Sequence, residues 1–192
     1  MCPDQQSYTS KPLKPDNWND LIQLFGSHGA YGGCWCTFFR QSRKEYNLNR
    51  GEKNQQLLKS VVENGQPVGL LAYAGDRPVG WCAFSPRENY LSLERSRMYK
   101  RVDNQPVWSL TCFFTASDFR RKGVTVFLIR EAIDYVRQNG GRIMEAYPTV
   151  PENASIPDDE GYTGILQVFT RLGFQVIDDK DGSHPIVRYQ IV

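Results

Sequence analysis

Near the middle of this sequence, a pattern typical of a buried strand is followed, after a short turn, by a pattern typical of a long helix. Residues 107–115, VWSLTCFFT, are rich in aromatic and β-branched side chains, which predicts a strand covered on both faces. Apolar residues then recur at helical spacing from Val124 to Val136, and Asn-Gly-Gly at 139–141 predicts the end of that helix. Another strand is predicted at 142–147. A strand–helix–strand unit implies an α/β fold with a mixed sheet and helices on both faces.

The other predicted elements lie on both sides of this unit. Helices are predicted at 18–25 and around 57–62, with an irregular stretch, 26–50, between them. The glycine–aspartate pair at 75–76 suits a tight hairpin turn between two strands. Residues 85–106 are polar and basic, and they are predicted to form a long loop or a partly helical excursion.

The C-terminal part continues the alternation of helix and strand. Residues 148–161 are predicted to form a polar loop, followed by a short helix at 165–172 that Thr163 is expected to cap. Two closing strands are predicted at 174–179 and 185–192.

Composition narrows the classes of function. A chain of 192 residues fits one domain, and its net charge of +2 is too small to predict nucleic-acid binding. No apolar run approaches the ~20 residues that cross a bilayer, so no membrane segment is predicted. The five cysteines are irregularly spaced and no secretion signal precedes them, which predicts reduced thiols and a cytoplasmic location.

The turn between the central strand and helix carries the strongest chemical signal. The first N–H groups of a helix lack internal partners and form a positive, anion-binding end. Arg120, Arg121 and Lys122 add charge there, and Gly123 lets a ligand approach the backbone. This arrangement suits a pyrophosphate, although neither common nucleotide fingerprint is present. The alternative is a solvated basic helix start, which the dipole disfavours unless an anion binds.

The same stretch, FFTASDFRRKGVTVFLI, resembles motif A of the general N-acetyltransferase (GNAT) superfamily. Arg120, Gly123 and Thr125 match its three fixed positions, with threonine where the last is usually glycine or alanine. FTRLGF resembles the end of the late helix of that fold, and GCWC, SPRE, VWSLTCFF and EAYP resemble a bacterial-type subgroup. The resemblance implies one domain over 1–192, with 1–7 as a flexible terminus. It also implies a mixed, mostly antiparallel sheet of six or seven strands with helices on both faces.

The resemblance further implies acetyl-CoA as co-substrate and no metal. The pantetheine arm is expected along the backbone of the central strand, and the pyrophosphate on the amides that open the helix. The thioester is expected in a gap between strands 107–115 and 142–147, where an acceptor amine attacks it directly and backbone N–H groups hold the oxyanion. The implied CoA-binding residues are Phe113, Phe114, Thr115, Arg120, Arg121, Lys122, Gly123, Val124, Thr125 and Phe169.

The acid and the base for this transfer are less clearly marked. A lysine-like amine has a pKa near 10.4, so its deprotonation at neutral pH costs roughly 4–5 kcal/mol, and a base lowers that cost. Glu145, beside the expected gap, is the first candidate base and Glu88 is the second; either could be an ordinary paired or solvated charge. Phe169 occupies the position of the usual tyrosine acid, which leaves Tyr147 and Tyr162 as candidate proton donors.

Residues 32–39, GGCWCTFF, fall where GNAT proteins line the acceptor site. Zinc sites usually contain paired C-x₂₋₄-C motifs and redox pairs are usually C-x-x-C, so a single C-x-C fits neither well. We predict an apolar, aromatic wall for an acceptor with an apolar or planar part, or with a cation that stacks on a ring. Cys112, in the central strand, is expected to be an inert thiol. The predicted acceptor-binding residues are Cys34, Trp35, Phe38, Phe39 and Trp108.

Two classes of function fit this sequence. The first is an N-acetyltransferase for a small-molecule amine or a peptide acceptor. The second is a module that holds acyl-CoA without turning it over, as a sensor or scaffold. Phe169 favours the second, whereas the intact turn at 120–123 fits both. The acceptor's identity and the oligomeric state stay open, with a homodimer as one option; no nucleic-acid or membrane partner is expected.

Overall fold

One mixed sheet forms the frame of the protein. The computed structural model describes residues 7–150, 161–179, 182 and 184–192. Its strands are β1 (Thr9–Pro12), β2 (Gly69–Ala74), β3 (Arg77–Pro86), β4 (Trp108–Thr115), β5 (Ile143–Ala146), β6 (Gln175–Asp178) and β7 (Ile186–Gln190). In this part of the chain the seven strands pair in the order β1-β2-β3-β4-β5-β7-β6. All neighbours are antiparallel except β4 and β5, which confirms the predicted mixed, mostly antiparallel sheet.

Helices cover both faces of this sheet, as predicted. They are α1 (Trp18–Phe25), α2 (Arg43–Leu48), α3 (Glu52–Glu63), α4 (Leu91–Glu94), α5 (Val124–Gln138) and α6 (Leu166–Arg171). One apolar core contains residues of α5 and α6, and the core on the opposite face contains residues of α1 and α3. Successive strand side chains point to opposite faces. Accordingly, Leu70 and Ala72 of β2 belong to the first core, and Leu71 and Tyr73 belong to the second.

The parallel strands β4 and β5 separate after a short paired segment. Residues 108–110 pair with β5, but β4 continues to Thr115 with β3 as its only partner among the described residues. Thr111 is an extra residue in β4, because adjacent residues of β3 pair with Cys112 and with Leu110. Such a bulge bends a strand and increases its twist. The second half of β4 therefore has a free edge.

Three local features differ from the predictions. The strand β1 was not expected, because it is a four-residue polar edge strand that ends in proline. The helix α2 lies in the stretch predicted to be irregular, and Ser42 caps it in a reciprocal pair with Glu45. Thr163 does not cap α6, because the residue at that position is Ile165; the Thr163 hydroxyl lies 3.1 Å from that of Thr149 instead.

Two predictions fall largely outside the described ranges. They are the flexible terminus at 1–7, apart from Ser7, and most of the polar loop at 148–161. The excursion at 85–106 contains α4 and is partly helical, as predicted. None of the helices in the described ranges has the length and apolarity that crossing a bilayer requires.

Candidate active site

A cavity of about 650 Å³ follows the free edge of β4. It extends from the start of α5 to the loop that joins α1 to α2. Its wall includes Phe113, Phe114 and Thr115 from β4, and Cys34, Cys36, Phe38 and Phe39 from the loop. The structure therefore brings the predicted strand residues together with most of the predicted acceptor-binding residues.

The free half of β4 presents backbone groups to this cavity. The N–H groups of successive residues in a strand point to opposite edges. Ala116 donates its N–H to Val79 O at 3.0 Å, so the backbone of Phe114, two residues earlier, also faces β3. The backbone groups of Phe113 and Thr115 consequently face the gap left by β5, where they can bind an extended ligand.

The start of α5 forms one end of the cavity. Arg120 and Thr125 line it, and Arg121 and Gly123 between them have left-handed φ angles of 60° and 83°. A Cβ placed on Gly123 would meet no protein atom within 4 Å, so the space in front of this turn is open. The side chain of Val124 is buried in the core, and only its backbone can serve a ligand. The positive end of the α5 dipole thus faces open space.

The cysteine loop, residues 28–37, forms the opposite wall and is firmly held. Gln41 donates from Nε2 to Thr37 Oγ1 at 3.0 Å and to Asn54 Oδ1 at 2.7 Å. Asn54, in α3, donates from Nδ2 to Gly33 O at 3.1 Å. These three polar side chains are buried, and satisfied buried networks of this kind rigidify their surroundings. The loop is therefore fixed against α3.

Of the two tryptophans predicted to bind the acceptor, Trp35 lies in a core and Trp108 is partly buried against the other core. Trp35 is 5% exposed and stacks on Trp18, with 6.1 Å between ring centroids. Gly29 permits this close packing, since a Cβ there would lie 2.2 Å from Trp35 Nε1. Trp108 packs against Tyr135 in the C-terminal half of α5 and does not line the cavity. Large apolar indoles gain more from burial in these cores than from exposure at an open wall.

Glu145 lies in a buried ion cluster rather than at the cavity. Its Oε1 accepts from Arg87 Nη1 at 2.5 Å and from Tyr147 OH at 2.6 Å. Its Oε2 accepts from Arg188 Nε at 2.8 Å, and Arg188 also pairs with Asp103. Because both carboxylate oxygens are engaged and the residue is fully buried, this geometry argues against the predicted role as a base.

Three further predicted residues also lie away from the cavity. Tyr147 is fully buried within the ion cluster, and burial raises its pKa well above the ordinary value. Glu88 is on the surface and pairs with Arg101 at 3.0 Å. Phe169, predicted to contact CoA, is fully buried behind Phe113, with 6.2 Å between ring centroids. It supports the wall from behind rather than lining it.

Tyr162 is the predicted catalytic residue that does line the cavity. It is 39% exposed, and partial burial raises its pKa above the ordinary value of about 10. The hydroxyl is therefore protonated at neutral pH and can donate a hydrogen bond to an anion in the cavity.

Several lining residues were not found from the sequence. They are Ala30, Tyr31, Tyr46, Arg50, Cys112 and Ile165. The guanidinium of Arg50 lies over the ring of Tyr46, 5.5 Å from its centroid. The Ser-x-x-Glu pattern at 42–45 is a capping signal that indicates the start of α2. Tyr46 lies in the first turns of that helix, so this pattern could have indicated its position. No comparable signal marks Arg50.

The thiols of the cysteine loop are hydrogen-bonded to one another and to β4. In the described part of the chain, no group of three or more His, Cys, Asp or Glu side chains is arranged to hold a metal ion. A hydrogen bond with Cys36, together with burial, raises the pKa of Cys34. A hydrogen bond with Cys112, together with burial, raises that of Cys36 well above the ordinary value. Both groups are therefore protonated thiols at neutral pH.

Solved structures identify the class of this fold. A GNAT-family acetyltransferase from Listeria monocytogenes aligns with a TM-score of 0.60 at 11% identity, covering 99% of this chain and 98% of that one. The PaiA N-acetyltransferase from Thermoplasma acidophilum, solved with coenzyme A, aligns with a TM-score of 0.56 at 15% identity, covering 96% and 99%. The predicted fold class, the GNAT fold, is confirmed by these likenesses.

Sequence comparison identifies the family. The model of the acetyltransferase (GNAT) family matches residues 34–157, which include the end of the cysteine loop, β4 and the start of α5. The chain belongs to this family of acetyltransferases, as predicted. An uncharacterized N-acetyltransferase of Methanocaldococcus jannaschii is 23% identical over 170 residues. That alignment covers 88% of this chain and 62% of the relative, so the chain spans less than two thirds of that protein.

Proposed function

We propose that this protein is an acetyl-CoA-dependent N-acetyltransferase that acts on an amine acceptor. The observation that carries the proposal is the cavity itself, which joins the open start of α5, the free edge of β4 and the cysteine loop. In this proposal the pyrophosphate of CoA lies on the backbone amides of Arg121 to Thr125. The pantetheine arm follows the backbone of Phe113 and Thr115 toward the gap between β4 and β5.

The acceptor occupies the end of the cavity beside the cysteine loop. When bound, acetyl-CoA supplies a thioester whose carbonyl carbon the amine nitrogen attacks directly, and the C–S bond then breaks. The N–H groups of the free half of β4 stabilise the negative charge on the carbonyl oxygen. Phe38, Phe39 and Tyr46 form an aromatic wall that suits an acceptor amine with an apolar or planar body.

Tyr162 stabilises the leaving thiolate in this proposal. A thiol similar to cysteine has a pKa of about 8.5, below that of tyrosine, so complete proton transfer from the phenol to the sulfur is uphill. The phenol therefore acts mainly as a hydrogen-bond donor, a role that the raised pKa of Tyr162 preserves across the neutral range. Phe169 cannot take this role, because it is an apolar ring behind the wall.

Water takes the proton of the acceptor amine. Among the described residues that line the cavity, none is a carboxylate or a histidine. Positioning of the amine against the thioester then supplies much of the rate enhancement.

The absence of a carboxylate or histidine among the described lining residues favours a second candidate function, a module that binds acyl-CoA without turning it over. Incubation with acetyl-CoA and a panel of amines, read by release of free CoA, separates the two. If the protein is an enzyme, the amount of CoA released should equal the amount of acetylated amine formed with at least one amine of the panel. A binding module retains CoA affinity and releases no CoA above the rate of uncatalysed hydrolysis with any amine.

A further inference from the structure

Two thiols from distant parts of the chain meet at the wall of the cavity. The sulfur of Cys36, in the cysteine loop, lies 3.1 Å from that of Cys112, in the free half of β4. A disulfide bond is about 2.05 Å long, so a movement of about 1 Å would join them. Both residues line the cavity, so a small oxidant can reach this pair.

The backbone around Cys36 is held in an uncommon conformation. Trp35 and Cys36 have left-handed φ angles of 45° and 47°, which side chains other than glycine rarely adopt. The buried stack of Trp35 on Trp18 and the hydrogen bond from Thr37 Oγ1 to Cys34 O at 2.9 Å hold the loop on either side. Strained residues of this kind persist where their surroundings fix them, often at functional sites. The fold therefore keeps Cys36 directed toward β4.

The other described thiols do not join these two walls. Cys34 lies in the cysteine loop itself, where it donates from Sγ to Gly29 O at 3.8 Å and hydrogen-bonds Cys36. Cys82 belongs to the core on the opposite face of the sheet and donates to Leu128 O of α5 at 3.9 Å. The sulfur–sulfur contact that joins the cysteine loop to β4 is therefore the one between Cys36 and Cys112.

We propose that Cys36 and Cys112 are a site of reversible oxidation by a peroxide, at which a disulfide joins the cysteine loop to β4. The sulfur of Cys112 attacks one peroxide oxygen, the O–O bond breaks, and a sulfenic acid and water form. The sulfur of Cys36 then displaces the second oxygen as water and forms the S–S bond. Each thiol gives up one hydrogen, two electrons pass to the peroxide, and two waters leave. A dithiol reductant reverses the reaction by thiol–disulfide exchange.

The burial of the two sulfurs sets this order of events. Cys112 is half-buried and faces the cavity, whereas Cys36 is 7% exposed. The thiolate is the reactive form, and the raised pKa of Cys36 keeps it protonated until its partner has reacted. Oxidation joins the two walls that hold the acceptor, a consequence that rests on the proposed function; formation of the bond does not.

Peptide mapping after peroxide treatment tests this site. Cys2, which lies outside the described residues, is replaced by serine in every sample. The reduced protein is treated with hydrogen peroxide, alkylated, digested and analysed by mass spectrometry. We expect the loss of two hydrogens per chain, a cross-linked peptide pair containing Cys36 and Cys112, and full reversal by dithiothreitol. The melting temperature of the oxidised form should rise by about 5–10 °C.

Matched serine variants make the assignment specific. Cys36→Ser and Cys112→Ser should each abolish the cross-link, whereas Cys34→Ser and Cys82→Ser should retain it. A cross-link between Cys34 and Cys36, or oxygen added to Cys112 without any cross-link in the parent protein, would overturn the proposal. None of these measurements uses turnover, so their failure is distinct from failure of the proposed acetyl transfer.

Discussion

The two halves of β4 face different surroundings. The first half pairs with β5 beside a buried ion cluster in which Arg87 and Arg188 hold Glu145. The second half has a free edge, and aromatic rings, thiols and open backbone groups surround it. Charged groups on the paired side are tied to one another. On the free side, backbone groups of β4 face the cavity together with the side chains of Arg120, Thr125 and Tyr162.

One half of β4 is anchored in the sheet, and the other half presents its backbone to the cavity. The ion cluster fixes β5, β7 and the excursion that contains α4 around the paired half of β4. The bulge at Thr111 lies where pairing ends, so the strand bends at the boundary between the halves. Glu145 is on β5, next to the gap between β4 and β5, but its carboxylate is part of the ion cluster and does not face the gap.

The largest effect should come from the paired half. Glu145→Gln should lower the free energy of unfolding by about 3–5 kcal/mol, because it removes the buried carboxylate from two buried arginines and leaves each with one partly exposed acidic partner. Glu88→Gln is the matched control, since its exposed pair with Arg101 should contribute about 1 kcal/mol or less. Urea unfolding of both variants measures the difference. Equal stability of the two would remove the distinction between the halves.

The next largest effect belongs to the free half. Tyr162→Phe should lower kcat by about 10- to 100-fold, the equivalent of one hydrogen bond to a charged group. Tyr46→Phe, which removes a hydroxyl from another part of the wall, should change kcat little. Steady-state kinetics with an acceptor found in the amine panel measures both. If the kcat of Tyr162→Phe equals that of the parent, Tyr162 does not stabilise the leaving thiolate.

A smaller effect should appear in the pH dependence of stability. The hydrogen bond from Arg188 lowers the pKa of Asp103 to about 2, below the ordinary value of about 3.9. Its contribution to stability is complete above the ordinary pKa and is lost as the pH falls toward 2. The melting temperature of the parent should therefore fall more steeply below about pH 4 than that of Asp103→Asn. Parallel curves for the two proteins would show that this pair contributes nothing.

The features around the two halves of β4 could not be predicted from the sequence equally well. The strand, the helix after it and the open turn at Gly123 follow from local patterns and short motifs, and the structure places them side by side. The role of Glu145 does not follow, because its partners Arg87 and Arg188 are 58 and 43 residues away in the chain. The contact between Cys36 and Cys112 spans 76 residues, and no local pattern encodes it.

The aromatic residues show the same limit. Trp35 and Phe38 stand close together in one stretch, yet Trp35 packs in the core and Phe38 lines the cavity. The difference depends on Gly29, whose missing side chain admits the indole, and on the left-handed backbone of Trp35. The stretch at 32–39 predicts an aromatic wall, but which of its rings line the cavity depends on packing contacts with distant residues.

The proposed function requires that the open start of α5 and the free half of β4 bind CoA. Calorimetric titration of CoA into the parent, Gly123→Val and Gly140→Val measures this binding. The two glycines lie at opposite ends of α5, with φ angles of 83° and 76°, and a Cβ on either meets no protein atom within 4 Å. The backbone penalty is therefore similar, about 1–2 kcal/mol each. We predict that Gly123→Val weakens CoA binding at least about tenfold, because it blocks approach to the amides, and that Gly140→Val binds like the parent. Equal affinity in all three proteins would show that CoA does not bind at the start of α5.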